Sequence, residues 1–189
     1  MDDAELDRIL DVVRRPERPR SSLEERVQLL EDHRRITDLV MAYGWLCDRR
    51  LWGELLDLYT DDFERFLVGT LEEHLVGKEV LREVYERPVL PRKDPGTGGP
   101  PPAARIGAFE LRHLIHPPVV RIADDGDHAI AAAVYSLVVS EGEVPSFRKG
   151  DHQGGYIFEF RREPEHGWRF SKMTVISENA RNPMFQASS

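Results

Sequence analysis

Residues 128–141 read HAIAAAVYSLVVSE and residues 150–162 read GDHQGGYIFEFRR, and both stretches have the composition and spacing typical of β-strands. Apolar stretches of a similar kind occupy residues 111–123 and 166–179. The acidic cluster at residues 124–127 predicts a hairpin turn between the stretch at residues 111–123 and the stretch at residues 128–141. The second half of the chain therefore predicts an antiparallel sheet built from successive hairpins.

The stretch at residues 150–162 has two unlike sides. Because successive side chains of a strand point to opposite faces, His152, Tyr156 and Phe158 share one side, while Gln153 and Glu159 share the other. The first side is apolar apart from the histidine. We therefore expect His152, Tyr156 and Phe158 to face the concave side of the sheet.

The first half of the chain favours helices. Ser22 and Glu25 have the spacing of a capping box, and apolar residues continue at helical spacing as far as Tyr43, with an interruption near His33 left open. A second helix is predicted over residues 52–59, ending at the Asp-Asp pair that follows. Helices followed by an antiparallel sheet predict the α+β class, with the helices packed on one sheet face.

The chain of 189 residues has the length of one domain. Residues 1–20 predict a mobile extension, and docking of its apolar residues as a short helix is the alternative. Residues 21–182 are predicted to form the domain, in which the Pro- and Gly-rich residues 88–105 predict a long surface loop. Residues 183–189 are predicted to be a C-terminal tail.

The composition argues against several classes of partner. The net charge is −8, which disfavours binding to nucleic acid or to an anionic membrane surface, because both rest on Lys and Arg that face phosphate groups. Cys47 is the only cysteine, and the N-terminal residues contain no long apolar run. A reducing, cytoplasmic location without a membrane partner is therefore expected.

Three polar side chains are candidates for acid-base chemistry: Tyr43 and Asp48 near the end of the first helix, and His113 in a later strand. An aspartate that accepts a hydrogen bond from one ring nitrogen of a histidine fixes the tautomer, and the other nitrogen is left free as a general base or acid. Two alternatives stay open. Asp48 could pair with Arg49 or Arg50 at the helix end, and His113 could be an edge histidine without a catalytic task.

A metal site is not expected. His113 and His116 are three residues apart on a predicted strand, so their rings point to opposite faces. The acidic cluster at residues 124–127 lacks the downstream acidic ligand of a calcium loop. Cys47 is expected to be a small buried side chain rather than a nucleophile. We therefore expect neither a metal nor another cofactor.

The order of these features, from about residue 22 to residue 180, resembles the SnoaL-like enzymes of the nuclear transport factor 2 superfamily. The order begins with a long helix that ends near Tyr43 and Asp48. A short helix, Asp61-Asp62-Phe63 and a helix after Gly77 follow. Arg112 and His113 then lie at the head of a long strand. The resemblance implies a cone-shaped barrel in which N-terminal helices pack on a strongly curved, mixed or antiparallel sheet. The family includes scytalone dehydratase, bile-acid 7α-dehydratase and hexachlorocyclohexane dehydrochlorinase, which use an Asp-His dyad for proton abstraction and elimination.

The resemblance implies a role for each candidate: His113 is the base, Asp48 orients it, and Tyr43 donates a hydrogen bond to the substrate. It implies a cofactor-independent lyase or isomerase, of dehydratase or cyclase type, for a small hydrophobic substrate of polycyclic or polyketide-like kind. We expect a homodimer or homotrimer. We also expect substrate contacts from six further side chains: Trp52, Tyr59, Tyr135, His152, Tyr156 and Phe158.

Two other functions stay open. The string LCDRRLWGELLDLYTDDF at residues 46–63 resembles a helical segment of the small β subunit of ring-hydroxylating dioxygenases, a non-catalytic partner of an iron-containing subunit. A protein that only holds a ligand in its pocket is the third function. All three share one fold, so the fold alone does not select among them.

Overall fold

A computed structural model describes residues 7, 10–11, 13–14, 16–17, 21–68, 73–86, 109–141 and 152–177. From residue 21 onward, these residues form helices α1 (Leu23–Asp48), α2 (Trp52–Leu56) and α3 (Lys78–Glu86). They also form strands β1 (Tyr59–Val68), β2 (Glu73–Val76), β3 (Phe109–Ile115), β4 (Val119–Ile122), β5 (His128–Glu141), β6 (His152–Glu163) and β7 (Gly167–Ser177). The predicted loop at 88–105 and the predicted tail at 183–189 lie outside the described residues.

The seven strands form one mixed sheet. Its order is β2-β1-β7-β6-β5-β3, and β4 pairs with a separate part of β5. β1 runs parallel to β7, whereas the other described pairs are antiparallel. α1 packs against β3, β4 and β7. The predicted α+β class, with N-terminal helices packed on a curved mixed sheet, is confirmed.

The stretch predicted as one strand at residues 111–123 is two strands, β3 and β4, because His116, Pro117 and Pro118 interrupt it. A proline has no N–H to donate to a neighbouring strand, so two in succession end the ladder. Both strands nevertheless pair with the 14-residue β5. The predicted hairpin turn at residues 124–127 is confirmed between β4 and β5.

α1 is a continuous helix of 26 residues. Its predicted capping box is confirmed: the Ser22 hydroxyl accepts the Glu25 N–H at 3.1 Å, and the Glu25 carboxylate accepts the Ser22 N–H at 3.2 Å. The interruption considered near His33 does not occur, since neither proline nor glycine lies in that part of the helix. None of the helices in the described ranges combines the length and apolar character that a bilayer crossing requires.

The second helix ends earlier than predicted, which corrects the assignment of Tyr59. The helix spans only Trp52–Leu56, and Tyr59 is the first residue of β1. The apolar spacing continues past the end of the helix. However, the Leu58 carbonyl accepts the Phe170 N–H at 2.9 Å, so pairing with β7 replaces the next helical turn.

The core lies between α1 and the concave face of the sheet. From β6, Tyr156 and Phe158 point into this core and are 3% and 0% exposed, while Gln153 on the other side is exposed. The predicted two-sidedness of this strand is confirmed at these positions. His152 begins β6, but its side chain lies outside what the structure describes.

Part of the N-terminal segment lies against the domain. Val13 packs on the outer face of the sheet beside Ile130. The Glu17 carboxylate lies 2.7 Å from His33 Nε2 and accepts the Ile122 N–H at 3.2 Å. Val13 and Glu17 therefore contact the domain, while the predicted division into an N-terminal extension, a domain and a tail stays a prediction.

Asp32 is a buried carboxylate that joins α1 to the sheet. It accepts hydrogen bonds from the Arg162 guanidinium at 2.6 Å and from the Trp168 indole at 2.9 Å. Asp32→Ala is expected to lower the free energy of unfolding by about 2 to 4 kcal/mol, because both donors lose their buried acceptor. Urea denaturation measures the change, with Asp38→Ala on the exposed side of the same helix as the control. Equal stability of the two variants would contradict this role of Asp32.

Candidate active site

Asp48 is the last residue of α1, and His113 lies on the side of β3 that faces this helix. The two elements pack closely at Gly44. A Cβ added at Gly44 would lie 3.0 Å from Ile115 Cδ1 and 3.3 Å from His113 Cβ, which is tight packing. The missing side chain at Gly44 therefore sets the distance at which the last turn of α1 meets the strand.

The Asp48 carboxylate contacts His113 at both the ring and the backbone. Asp48 Oδ1 lies 2.6 Å from His113 Nδ1, and the His113 backbone N–H donates to Oδ1 at 3.0 Å and to Oδ2 at 3.1 Å. The His113 side chain is only 10% exposed and the Asp48 side chain only 8%. The predicted contact between the Asp48 carboxylate and the His113 ring is confirmed, and the catalytic roles of both residues stay a prediction.

This contact determines what the imidazole can do chemically. A carboxylate close to Nδ1 favours a hydrogen on that nitrogen, so the neutral ring carries its lone pair on Nε2. The backbone N–H of His113 holds the same carboxylate in place, which keeps the ring orientation fixed. The arrangement is therefore suited to accepting a proton at Nε2.

Tyr43 stands between His113 and the aromatic interior. Its ring makes edge contacts with the His113 ring at 5.9 Å and with the Tyr156 ring at 5.6 Å between centroids. Burial raises the pKa of the Tyr43 hydroxyl well above its ordinary value, and burial likewise raises the pKa of Tyr156. Both phenols therefore stay protonated at neutral pH and keep a hydrogen that they can donate.

Four of the predicted binding side chains are buried, with Tyr135 and Tyr156 each 3% exposed and Tyr59 and Phe158 each 0% exposed. Tyr135 and Tyr156 stack with ring centroids 4.1 Å apart on the concave face. Tyr59 and Phe158 are fully covered, so a ligand reaches them only if their neighbours move. Trp52 is half-buried and stacks on a tyrosine of α3 at 4.9 Å. The structure brings four of these aromatic residues to the core face and Trp52 to its margin.

Cys47 is buried directly beside Asp48 in the chain. Burial raises the pKa of the Cys47 thiol to about 12. The thiol is therefore protonated at neutral pH, and a protonated thiol is a poor nucleophile. The expectation of a small buried side chain at Cys47 is confirmed.

Two residues of this region were not among the predicted ones. Gly44 gives no signal in the sequence, because a close approach between two distant elements leaves no local pattern. Arg65 does give one: it has the same parity in β1 as the apolar Phe63 and Leu67, so alternation alone places it on the core face.

A cleft of about 560 Å³ lies at the opposite end of α1. It is lined by residues from the start of this helix and from the turn between β4 and β5, together with Asp32 and Arg162. Asp32 and Asp48 lie about 24 Å apart along the helix axis, at about 1.5 Å per residue. This cleft, whose lining is largely acidic, is therefore separate from the Asp48–His113 pair.

If His113 acts as the general base expected from the sequence, Gly44→Ala lowers the rate of proton exchange at that base several-fold without unfolding the protein. The added methyl group crowds Ile115 Cδ1 and His113 Cβ, so these neighbours must shift by a few tenths of an ångström, whereas alanine is a better helix former than glycine by about 1 kcal/mol, which offsets the strain. Gly53→Ala in α2 is the matched control, since a Cβ at Gly53 has no atom within 4 Å. Exchange rates and thermal unfolding are measured on both variants. Unchanged exchange in Gly44→Ala would contradict the positioning role of this glycine.

The fold defines the general class: an α+β protein with the cone fold of nuclear transport factor 2-like proteins. The chain belongs to the SnoaL-like family, because the SnoaL-like domain matches residues 28–174. No curated protein matches the chain.

Solved structures with the same fold come from Novosphingobium aromaticivorans. An NTF2-like protein with a cystatin-like fold is 23% identical, covers 87% of this chain and 93% of its own, and superposes with a TM-score of 0.63. A candidate scytalone dehydratase is 15% identical over 79% and 86% of the two chains, with a TM-score of 0.57. The β subunit of a candidate aromatic-ring-hydroxylating dioxygenase is 21% identical over 75% and 86%, with a TM-score of 0.53. At these identities the similarity establishes the fold.

Proposed function

We propose that this protein is a cofactor-independent lyase or isomerase, of dehydratase or cyclase type, in which His113 removes a proton from a small hydrophobic substrate. The observation that carries the proposal is the 2.6 Å contact between Asp48 Oδ1 and His113 Nδ1. The substrate class, polycyclic or polyketide-like, is suggested by Tyr43, which contacts the His113 ring, and by the aromatic residues that follow it into the interior.

Asp48 has two effects in this proposal. It holds Nδ1 protonated, so that Nε2 is available as the base, and it lies beside the imidazolium that forms once His113 has taken the proton. The positive charge of the imidazolium and the negative charge of the carboxylate attract each other at this short distance. The carboxylate therefore stabilises the protonated base more than the neutral one, which favours proton abstraction.

Tyr43 supplies the complementary hydrogen-bond donor. A proton lost from carbon leaves negative charge on the substrate or on its leaving group, and a preorganised O–H near that charge stabilises it. Tyr43 contacts the His113 ring directly, and its hydroxyl stays protonated at neutral pH because burial raises its pKa. Tyr135 and Tyr156 border the same region of the concave face.

The proposal is tested by hydrogen-deuterium exchange on small molecules in D2O. A panel of hydrophobic compounds with an acidic C–H group, including aryl ketones and fused-ring ketones, is incubated with the wild-type protein and followed by mass spectrometry. The expected result is faster deuterium uptake by at least one compound class, dependent on His113. Uptake that is equally fast in His113→Ala would refute the role of this histidine, whatever the compound.

Asp48→Asn is expected to retain some exchange activity, at least about tenfold below wild type and above His113→Ala. The amide keeps an oxygen that can accept the His113 hydrogens, but it lacks the negative charge that stabilises the imidazolium. The exchange assay measures the loss, and circular dichroism checks the fold. Wild-type activity in Asp48→Asn would show that the carboxylate charge takes no part.

The oligomeric state separates this proposal from the subunit alternative. An enzyme of this kind is expected to purify as a stable homodimer or homotrimer, whereas an isolated dioxygenase β subunit lacks its partner and is expected to behave poorly alone. Size-exclusion chromatography with light scattering makes the distinction. A monodisperse homo-oligomer without exchange activity on any compound class would favour a ligand-binding protein instead.

A further inference from the structure

α1 carries apolar side chains on the face that points away from the core. On this face, exposed residues recur at intervals of three or four, and we call the set the outer stripe of α1: Leu23, Val27, Leu30, Arg34, Asp38, Met41 and Trp45. Most of the set is apolar, although Leu30 and Trp45 are 70% and 60% exposed. The stripe is about 33 Å long, at about 1.5 Å per residue.

A surface helix ordinarily has one apolar face. That face packs on the core, and charged or polar side chains cover the opposite one. α1 packs Ile36, Val40 and Tyr43 into the core and has a second apolar set on the outer stripe. A contiguous exposed apolar surface of this kind marks a site of contact with another molecule.

The charges of the outer stripe lie at its centre. Arg34 and Asp38 form an exposed ion pair across one helical turn, with Arg34 Nε 3.8 Å from Asp38 Oδ2. The other apolar members of the stripe precede this pair, and Met41 and Trp45 follow it. The stripe therefore consists of an Arg–Asp centre between two apolar ends.

This arrangement is complementary to itself. When a second α1 lies antiparallel to the first, with a two-fold axis at the level of Ile36, Arg34 of each copy lies opposite Asp38 of the other. Val27 and Trp45 are equally far from Ile36 in the helix, so they also lie opposite each other. Parallel helices in register would instead place Arg34 against Arg34 and Asp38 against Asp38, which repulsion between like charges disfavours.

Trp45 is the side chain of the stripe best suited to anchor such a contact. The Arg49 guanidinium lies over its ring, 4.3 Å from the centroid. This cation restricts the indole, so less side-chain freedom is lost when a partner covers the ring. Trp and Arg are also among the residue types that contribute most to binding between proteins.

We propose that two copies of this chain associate through the outer stripes of their α1 helices, antiparallel and around a two-fold axis, as the interface of a homodimer. The partner is a second copy because the Arg–Asp centre and the apolar ends are each matched by the same surface turned through the axis. The proposal concerns assembly and does not depend on the reaction. Deuterium exchange that requires His113 tests the proposed function separately.

The first test places a charge in the apolar ends of the stripe. Analytical ultracentrifugation of the full-length wild-type protein is expected to show a dimer. Leu30→Glu and Trp45→Glu are each expected to raise the dissociation constant at least about tenfold, because two introduced carboxylates are covered in every dimer. The matched control is Val134→Glu, since Val134 is also 60% exposed but lies on the outer face of β5. This variant is expected to dimerise as the wild type does.

The second test reverses the charges at the centre of the stripe. Arg34→Glu gives two carboxylates opposite each other, and Asp38→Arg gives two guanidinium groups. Each variant alone is therefore expected to dimerise at least about tenfold more weakly at low salt. An equal mixture of the two is expected to form a heterodimer, because opposite charges then meet at both contacts. Asp38→Ala adds no repulsion and is expected to weaken the dimer less than either reversal.

The mixture also controls for misfolding, since a heterodimer forms only from two folded variants, and circular dichroism checks each one. A monomeric or trimeric wild-type protein overturns the proposal. It is equally overturned when Val134→Glu loses the dimer and Trp45→Glu keeps it, which would place the interface on the sheet. Folded single variants that dimerise as the wild type does, or a mixture that fails to associate, also overturn it.

Discussion

Replacing His113 with alanine is expected to lower catalysed proton exchange by about 10²- to 10⁴-fold, because a positioned general base contributes that much to the rate. The fold is expected to survive. The backbone N–H of His113 still donates to the Asp48 carboxylate, since that bond does not involve the side chain. A loss of stability of about 1 to 3 kcal/mol is also expected, because the buried Asp48 carboxylate loses the ring as a donor, but the variant should stay folded in buffer.

The matched control for this variant is His116→Ala. His116 lies three residues further along, between β3 and β4, and it is exposed. Rates of deuterium uptake and urea denaturation are compared for both variants. Loss of uptake in His116→Ala, or full uptake in His113→Ala, would remove His113 from the proposed reaction and leave a binding or partner function.

Gly154→Ala is expected to cost more stability than any other single change considered for this protein, about 4 kcal/mol or more. A Cβ at Gly154 would lie 1.8 Å from the Ile176 carbonyl oxygen and 3.1 Å from Tyr135 Cε1. The first of these is a backbone atom of the neighbouring strand, which cannot move without breaking the pairing of β6 with β7. The variant is expected to unfold at low urea concentration or to fail to fold.

Gly155→Ala is the control for this prediction. A Cβ at Gly155 meets only the Ala133 carbonyl oxygen, at 3.9 Å, which is ordinary contact. Its stability is expected to lie within about 1 kcal/mol of the wild type. Two neighbouring glycines of one strand thus have opposite expected outcomes, and equal stability of the two variants would contradict the register of β6 against β7.

The strands of the second half could be predicted from their apolar composition and from the side chains that alternate onto the core face, although parts of the outer face are buried as well. The boundary at Tyr59 could not. Trp52, Leu55, Leu56 and Tyr59 keep helical spacing, yet pairing with β7 governs the backbone from Leu58 onward. A contact with a strand more than a hundred residues later leaves no trace in the local pattern.

The pair at the site was predictable for a different reason. Asp48 and His113 have no sequence relation to each other, and the order of elements shared with the family was what joined them. Arg65 was overlooked although its parity with Phe63 and Leu67 was visible, because a charged residue in a strand is most often solvated. Gly44 permits close packing of α1 on β3 because it lacks a side chain, and this effect is recognised only from the three-dimensional arrangement of the two elements.

The bond between the His113 backbone N–H and Asp48 has a consequence for solubility. β3 is the last strand in the sheet order, and its pairing among the described residues is with β5. A strand with an open edge can recruit the edge of another molecule, which is a common start of aggregation. The Asp48 carboxylate covers one donor of that edge. Removing the carboxylate, as in Asp48→Ala, would therefore expose an aggregation-prone strand edge and also change the environment of His113. Precipitation of this variant would then not measure the catalytic role of Asp48.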